Sequence, residues 1–538
     1  MREVAQGLRA LSSAITRISN ISGTPGVSVG VLHHGEVVHT ANFGYRDVEA
    51  KLAPDEDTIY HIASLSKLIT AAGIGILVDD QNLSWKSPIS SILPGFNHKD
   101  PVITKEANSI DLLAHMAGVA SQNQFIMQEY GRLSLSQQET LPIFSSLPQI
   151  AEFRSTWNYC NWHYGVAAMV VERISGISWG DFLKTRIFDP LGLKRTITIR
   201  NPMTPNSQFD NVARGYIALE DGSPLLTERP YVSSGTLFSG AAGVQSSVND
   251  LLRLYQTLLA SNSDQSIKNS PFRQLSTLFS AHIPIPGYSV NKKAYSLGLV
   301  RTELPGSLGV TGLNSMSVSE MPVVGRGGGP KIVYHHNGSL AAFLACVILI
   351  PESQSVIVVL TNSIAKNDCA DWIAQMLLEE LIDCPEKNDY EHIAQTSADD
   401  MISKWNSMPV QLEEQRIPNT LHRSIEQYAG GYFNSIGDYY LDIFVEDGEL
   451  FMCMQGDRTQ TYKLNHYHND TFSWLLTWDE NAHRGRFRVP SPEYYLLRFQ
   501  AQDESIYAIK WSIDPDIPNG QLFSKQDDAG LEQIRFKI

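Results

Sequence analysis

Between Lys331 and Asn362 the chain carries three apolar runs separated by short turns, KIVYHH, FLACVILI and SVIVVLTN. Short apolar runs bounded by turns are typical of buried strands. Near the other end, apolar residues alternate from Val27 to Val31, and His34-Gly35 makes a turn before a second alternating run. From about residue 111 to residue 258, helical patterns dominate instead. Strands at both ends of a segment, with helices between them, predict one sheet that is assembled from distant parts of the sequence.

After Cys384 the character of the sequence changes. Residues 385–420 are polar and mostly helical in pattern, so we expect a helical connector. Residues 421–538 carry short alternating runs with turn signals, which predict a small antiparallel β-barrel. The strands predicted there are Tyr439–Val445, Leu450–Met454, Thr471–Trp478, Tyr494–Phe499 and Ile506–Ile513. The expected domain organisation is therefore 1–384, 385–420 and 421–538.

The balance of charge excludes some classes of partner. The 538 residues carry a formal net charge of −15, from 42 lysine and arginine residues against 57 aspartate and glutamate residues. A chain this acidic has no electrostatic footprint for nucleic acid or for anionic membranes, so we expect neither as a partner. Residues 1–20 predict an amphipathic helix rather than a secretory signal, and the longest apolar stretch, Ala341–Ile350, is about half a membrane span. We therefore expect a cytoplasmic protein.

Cysteines and histidines give no metal pattern. The five cysteines are scattered and form neither a disulfide framework nor a CxxC pair, which suits a reducing compartment. The sequence His466-Tyr467-His468 would place two imidazoles on one face of a strand, but no third ligand is evident. We therefore expect no metal and no other cofactor.

The first candidate catalytic motif is Ala63-Ser64-Leu65-Ser66-Lys67, at the start of a helical run. Residues three apart share one face of a helix, so the amine of Lys67 can lie against the hydroxyl of Ser64. A serine hydroxyl needs a base, and a lysine can be that base when its pKa is lowered by burial or by a neighbouring cation. The start of the helix would also offer N–H groups to a developing oxyanion. A capping serine followed by a solvated lysine is the alternative reading of the same spacing.

Two further motifs carry groups that suit the same chemistry. In Tyr159-Cys160-Asn161, the phenol can shuttle a proton, and the amide can orient the lysine or a substrate carbonyl. In His336-Asn337-Gly338-Ser339, the glycine permits a close approach of the backbone, and the N–H of Ser339 can be a second oxyanion donor. Taken singly, each motif also fits an ordinary loop or the turn at the end of a strand.

In the order S-x-x-K, Y-x-N and H-x-G, the chain resembles the serine β-lactamase and penicillin-binding-protein-like hydrolases. The nearest resemblance is to the branch of class C β-lactamases, D-aminopeptidases, esterases and transesterases, and it covers most of residues 20–365. IDLLAHMAGV resembles the LLxHxSG segment of the family, and SGAAGVQSSVNDLLRLY resembles its G-G-x-x-S-x-x-D-L helix. YAGGYFN, followed by DYYLDIFVEDGELFM, resembles the start of a lipocalin-like module. The resemblance implies an α/β (α+β) β-lactamase/transpeptidase-like fold, with an antiparallel sheet flanked by helices, a helical subdomain and a small antiparallel β-barrel domain.

The same resemblance implies a mechanism in which Ser64 attacks an ester or amide carbonyl and becomes acylated. The residues to which it gives catalytic roles are Ser64, Lys67, Tyr159, Asn161 and His336. The N–H groups of Ser64 and Ser339 would bind the oxyanion. The residues expected to contact the substrate are Phe125, Trp157, Arg326, Asn337 and Gly338. Whether Lys67 or Tyr159 is the acylation base stays open, because coupled groups titrate together.

Two departures from the family pattern bear on the substrate. Penicillin-recognising members usually carry K-T-G where this chain has His336-Asn337-Gly338, and histidine is mostly neutral at pH 7. We therefore expect poor turnover of β-lactams, which a cephalosporin reporter would measure. The segment before Tyr159 reads FRSTWNYCN instead of F-x-P-G-x-x-W-x-Y-S-N, so the pocket entrance is expected to differ.

Three functions stay open at the level of the sequence. The first is a hydrolase of small-molecule esters or amides. The second is an acyltransferase similar to the transesterases of natural-product biosynthesis, and the third is a catalytically idle binding protein that kept the fold. The C-terminal module is expected to restrict substrate size, and it also offers a contact surface for a homo-oligomer.

Overall fold

The computed structural model of the chain describes residues 1–123, 129–133, 135–199, 209–263, 270–517 and 519–526. The strands as far as residue 364 are β1 (Gly26–His33), β2 (Glu36–Gly44), β3 (Tyr60–His61), β4 (Gly215–Ala218), β5 (Pro224–Thr227), β6 (Gln245–Ser246), β7 (Ile283–Pro284), β8 (Lys293–Tyr295), β9 (Val300–Leu304), β10 (Gly306–Ser307), β11 (Val323–Val324), β12 (Lys331–Leu340), β13 (Phe343–Ile350), β14 (Ser355–Thr361) and β15 (Ser363–Ile364). Eight of them form an antiparallel sheet in the order β2-β1-β14-β13-β12-β9-β8-β7. The predicted sheet built from distant parts of the chain is confirmed, since β1 pairs with β14.

The helices are α1 (Arg2–Ala10), α2 (Ser12–Ser22), α3 (Ser66–Asp79), α4 (Ile89–Ile92), α5 (Pro101–Glu106), α6 (Ser109–Leu113), α7 (Thr140–Ser146), α8 (Asn161–Ser175), α9 (Trp179–Leu183), α10 (Asp189–Leu191), α11 (Ser239–Ala242), α12 (Val248–Ser263), α13 (Leu275–Phe279), α14 (Cys369–Leu381), α15 (Tyr390–Gln415) and α16 (Trp478–His483). The single helix predicted over residues 1–20 is wrong, because the chain breaks at Leu11 between α1 and α2. Within the described ranges, none of the helices combines the length and the hydrophobicity needed to cross a bilayer.

Both faces of the sheet are buried. Val29 and Val359 belong to an apolar cluster formed with α1, α2 and α14, whereas Val358 belongs to a cluster formed with α3, α8 and α12. Successive side chains of a strand point to opposite faces, so each central strand contributes to both clusters. Burial on both faces explains why these strands have nearly continuous apolar sequences.

The C-terminal strands close into a barrel, as predicted. They are β16 (Gly430–Phe433), β17 (Tyr440–Glu446), β18 (Glu449–Met454), β19 (Thr461–His468), β20 (Thr471–Ser473), β21 (Leu496–Gln502), β22 (Ser505–Trp511) and β23 (Gln521–Gln526). The strand predicted over Thr471–Trp478 is wrong in its second half, because β20 ends at Ser473 and Thr477 caps α16. The sequence patterns did not predict β16, β19 or β23.

One apolar cluster joins the two halves of the molecule. It runs from the helices that cover the sheet through Trp405 of α15 and into the barrel, where Tyr432 and Trp474 belong to it. The barrel is therefore held against the rest of the chain by buried apolar contacts, and not only by the connector.

Candidate active site

Ser64 lies in the tight turn that leads into α3. This turn is the 3₁₀ segment Ala63–Leu65, and Ala63 has a φ of 46°, which residues with a Cβ rarely adopt. Backbone strain of this kind clusters at functional sites. Lys67 follows one helical turn later, and its Nζ lies 3.0 Å from the Oγ of Ser64. Helix geometry thus places the amine against the hydroxyl.

The amine of Lys67 is buried among oxygen acceptors and aromatic rings. It donates to the Oδ1 of Asn161 at 2.7 Å and to the carbonyl oxygen of Ala241 at 3.2 Å. Its Nζ lies 4.8 Å from the ring centre of Tyr159 and 5.3 Å from that of Tyr164. Burial lowers the pKa of Lys67 well below the ordinary value of a lysine, so the neutral amine is favoured.

Tyr159 reaches the same hydroxyl from the second motif. Its OH donates to the Oγ of Ser64 at 2.9 Å, and burial raises the pKa of the phenol, which therefore stays protonated. The main chain beside it is held by His115, whose Nδ1 accepts from the N–H of Cys160 at 3.1 Å. His115 belongs to the IDLLAHMAGV segment. Helix α8 begins at Asn161, the residue after Cys160.

The third motif lies on β12 and closes the site from the other side. β9 pairs with β12 only as far as His335, and the following stretch of β12 meets the Ser64 turn. A Cβ at Gly338 would lie 2.4 Å from the carbonyl oxygen of Ile62, so this approach requires glycine. The next residue, Ser339, lines the cavity in front of Ser64.

His336 lies beside Tyr159, with a ring-centre distance of 6.0 Å, and is bonded through both ring nitrogens. Its Nδ1 lies 2.6 Å from the carbonyl oxygen of Asn337, so this nitrogen carries the hydrogen. Its Nε2 then accepts from the OH of Tyr295 at 3.1 Å. Burial lowers the pKa of His336 to about 3. The imidazole is neutral, and neither nitrogen is left to take a proton from the serine.

Two of the residues expected to contact the substrate lie away from the cavity. Asn337 faces the opposite side of β12 from His336, where Thr311 donates to its Oδ1, because successive strand residues alternate between faces. Arg326 is exposed and donates to the Oδ1 of Asn388 at 3.0 Å, because its loop folds against the segment before α15. The expectation that Asn337 and Arg326 contact a substrate in the cavity is therefore corrected, since neither side chain lines it.

Trp157 packs behind the site, against Tyr159 and Tyr295 at ring-centre distances of 6.0 and 5.8 Å. It supports the tyrosines and does not line the cavity. Phe125 lies outside the described residues. Asn123, two residues before it in the sequence, does line the cavity, and its Oδ1 accepts from the Nδ2 of Asn161 at 3.1 Å. No sequence pattern marked Asn123, because its partner is far away along the chain.

A cavity of about 690 Å³ opens in front of Ser64. Ser64, Tyr159 and Asn161 form its inner wall, and barrel residues from segments 486–494 and 512–517 form much of its outer wall. The barrel therefore contributes directly to the surface that a substrate would meet. The individual barrel residues could not be predicted, since nothing local in the sequence indicates which loops face the catalytic part.

The H-x-H motif of the barrel is engaged by the main chain. His466 bonds the carbonyl oxygen of Asn469, and His468 accepts from the N–H of Ile417. In the part of the chain that the structure describes, no cluster of three or more histidine, cysteine, aspartate or glutamate residues could hold a metal ion.

Comparison with known protein families gives two matches. The family model described as beta-lactamase matches residues 11–379, which is more than half of the chain and includes all three motifs. A second family model, described as a domain of unknown function (DUF3471), matches residues 414–525.

Individual relatives agree with the first match. Penicillin-binding protein 4* of Bacillus subtilis (strain 168) is 27% identical over 254 residues, 44% of this chain and 54% of that protein. A D-aminopeptidase of Cereibacter sphaeroides is 26% identical over 319 residues, 57% of this chain and 55% of that protein. The chain thus spans about half the length of these curated relatives.

A solved structure covers nearly the whole molecule. The octameric penicillin-binding protein homologue from Pyrococcus abyssi has a TM-score of 0.57 at 21% identity, over 96% of this chain and 99% of that chain. This likeness confirms the expected fold.

Proposed function

Because the chain belongs to the beta-lactamase family, we propose that it is a serine hydrolase that cleaves an ester or amide bond through an acyl-enzyme on Ser64. The proposal rests on one observation: Lys67 and Tyr159 converge on the Ser64 hydroxyl, at 3.0 and 2.9 Å. Groups that can take and return a proton, within hydrogen-bond reach of a hydroxyl, are what a serine nucleophile requires. A catalytically idle protein would have no need to keep a buried amine there.

We assign Lys67 the role of base in acylation. A neutral amine has two hydrogens and one lone pair. The Oδ1 of Asn161 and the carbonyl of Ala241 can only accept, so they take the two hydrogens. The lone pair is then left for the hydroxyl hydrogen of Ser64, and the lowered pKa of Lys67 keeps the amine in this form. Tyr159, which stays protonated, is the proposed proton donor to the leaving group.

We propose that the N–H groups of Ser64 and Ser339 hold the oxyanion. The close approach at Gly338, which brings β12 against the Ser64 turn, supports this pairing. His336 is proposed as a positioning residue, since both of its nitrogens are engaged.

The proposed substrate is a small-molecule ester or amide that fits a cavity of about 690 Å³. The D-aminopeptidase relative makes D-amino-acid amides and short D-peptides the first compounds to test. The octameric structural relative makes a homo-oligomer a second proposal, which light scattering on the purified protein would test.

Covalent labelling of the full-length protein by a fluorophosphonate probe tests the proposed function. The wild-type protein is expected to be labelled at one site and to hydrolyse p-nitrophenyl acetate, and Ser64→Ala is expected to lose both properties. Ser91→Ala, which removes an exposed hydroxyl that bonds Pro88, is the matched control and is expected to behave as wild type. Equal labelling of the wild-type and Ser64→Ala proteins would refute the proposal.

Water is the proposed acceptor of the acyl group, and the transesterase alternative differs only in the acceptor. Adding a short alcohol or amine to the ester assay measures how the acyl-enzyme divides between the two. A transferred product that dominates at millimolar acceptor would identify an acyltransferase instead.

A further inference from the structure

The orientation of Asn161 depends on a neighbour outside the three motifs. Its Nδ2 donates to the Oδ1 of Asn123 at 3.1 Å, and its Oδ1 accepts from Lys67 at 2.7 Å. An amide donates through one end and accepts through the other, so Asn123 fixes which end faces the lysine. If Asn123 moves, the amide can turn, and Lys67 loses the acceptor that directs its lone pair to Ser64.

The residue before Asn123 is held by the barrel. The N–H of Gln122 donates to the Oδ2 of Asp514 at 2.6 Å, and its side chain donates to Gln521 of β23 at 3.0 Å. Asp514 follows β22 and is only 1% exposed, and its Oδ1 accepts from the N–H of Asp516 at 2.9 Å. The barrel therefore holds the main chain by hydrogen bonds at Gln122, one residue before Asn123, whose side chain bonds Asn161.

The backbone conformation of Gln122 depends on these hydrogen bonds. Its φ of 42° lies in the left-handed region, which a residue with a side chain keeps only where the surroundings impose it. A charge-assisted hydrogen bond to a buried N–H is among the stronger single contacts that can do so. Without the carboxylate, the N–H of Gln122 would be buried without an acceptor, and relaxation of φ would carry Asn123 with it.

We propose that Asp514 of the barrel is a positioning residue for catalysis, acting on Lys67 through Gln122, Asn123 and Asn161. This inference rests on the proposed function, because it concerns the base in the acylation of Ser64. The catalytic part of the chain then reaches full activity only with the barrel docked.

The test uses the full-length protein, the labelling rate of Ser64 by a fluorophosphonate probe, and kcat and KM for p-nitrophenyl acetate. Asp514→Ala is expected to lower the labelling rate and kcat by about tenfold or more, because misplaced groups slow chemistry more than they weaken binding. Asp514 also lines the cavity, so KM is expected to rise as well, but by a smaller factor than kcat falls. Asp514→Asn keeps an oxygen for the N–H of Gln122 and is expected to retain most of the wild-type kcat. Asp442→Asn is the matched control, since Asp442 is another buried barrel carboxylate but bonds Arg458.

A double-mutant cycle distinguishes an effect transmitted through one hydrogen-bond network from a general destabilisation of the fold. Asn123→Ala and Asp514→Ala act on one network, so the double variant is expected to lose about as much kcat as the worse single variant. Losses that multiply would overturn the inference, as would wild-type labelling by Asp514→Ala or a change in KM alone. Should Asp514→Ala fail to fold, Asp514→Ser, which shortens the side chain but keeps it polar, replaces it with the same expected loss. If the wild-type protein is not labelled at Ser64, the proposed function itself fails, and this inference fails with it.

Discussion

The buried amine of Lys67 links the chemistry of the site to the stability of the fold. In the unfolded chain a lysine holds its proton up to about pH 10.4, whereas in the folded protein burial lowers the pKa of Lys67 well below that value. Folding therefore has to release a proton wherever the pH lies between the two pKa values. The group proposed to activate Ser64 thus opposes folding at lower pH, and its unfavourable contribution to the free energy of folding decreases as the pH rises.

Lys67→Met makes this linkage measurable. Between the two pKa values, the unfolded wild-type chain binds one proton more than the folded chain at this position, so its free energy of unfolding rises by about 1.4 kcal/mol per pH unit from this group. The methionine variant lacks that contribution. We expect wild type to gain stability on the variant as the pH is raised from 7 to 10, measured by thermal unfolding of both proteins. Parallel curves over that range would show that Lys67 is charged in the fold.

Residue-scale prediction from the sequence worked where local geometry fixes the answer. Ser64 and Lys67 are three apart on one helix turn, and this spacing alone predicts their contact. Local spacing did not identify Tyr295 or Asn123, because Tyr295 contacts His336, and Asn123 contacts Asn161, only in the tertiary fold. Asn337 was placed wrongly because the motif does not say which face of the strand it occupies.

At the scale of elements, the site depends on how closely β12 approaches the turn before α3. The edge of β12 is available there because β9 stops pairing with it at His335. Gly338 is the point of closest approach, and the obstacle to a larger residue is backbone, which cannot swing aside. The strand and the turn before α3 therefore meet through close contacts at Gly338.

Gly338→Ala is expected to lower kcat/KM for p-nitrophenyl acetate by about 100-fold, because displacement of the proposed oxyanion donors by about 1 Å has an effect of that size. The added methyl group would lie 2.4 Å from the carbonyl oxygen of Ile62, so β12 has to move. Gly329→Ala is the control in the loop before the same strand, since nothing lies within 4 Å of a Cβ at that position. Equal activity of the two variants would mean that the approach is not needed for catalysis.

Secondary-structure elements were predicted best where the hydrophobic pattern extends over several residues without interruption. The alternating and apolar runs gave β1, β12, β13 and β14, because burial on one or both faces leaves a clear pattern. The break at Leu11 left no pattern, since both short helices continue the same apolar stripe. The end of β20 was missed because Trp478 is as apolar in a helix as in a strand.

At the scale of the whole molecule, the barrel forms part of the wall of the cavity in front of Ser64. Phe487, Val489 and Ile513 line this cavity together with Ser64, so the barrel limits the space beside the proposed nucleophile. The division at residues 384 and 420 stays a prediction, and so does the effect of the barrel on substrate size. An apolar cluster that crosses the connector makes a truncated protein a poor test of either.

A wall variant tests the effect on substrate size within the intact fold. Phe487→Ala removes a partly buried ring from the cavity, so the ratio of kcat/KM for p-nitrophenyl octanoate to that for the acetate is expected to rise by about tenfold. Leu421→Ala, at a side chain that is 90% exposed, removes similar apolar bulk away from the cavity and is the control. An unchanged ratio in Phe487→Ala would show that chain length is selected elsewhere.

The pairing of β1 with β14 also determines when this protein can fold during its synthesis. Val27 lies opposite Thr361, so β1, which can pair with β2 as soon as both are made, meets its second neighbour only after residue 361 has been synthesised. At about 5–20 residues per second, the nascent chain carries unpaired apolar strand surface for tens of seconds. We therefore expect this protein to depend more on chaperones that bind nascent chains than a protein in which adjacent strands of the sheet are consecutive in sequence.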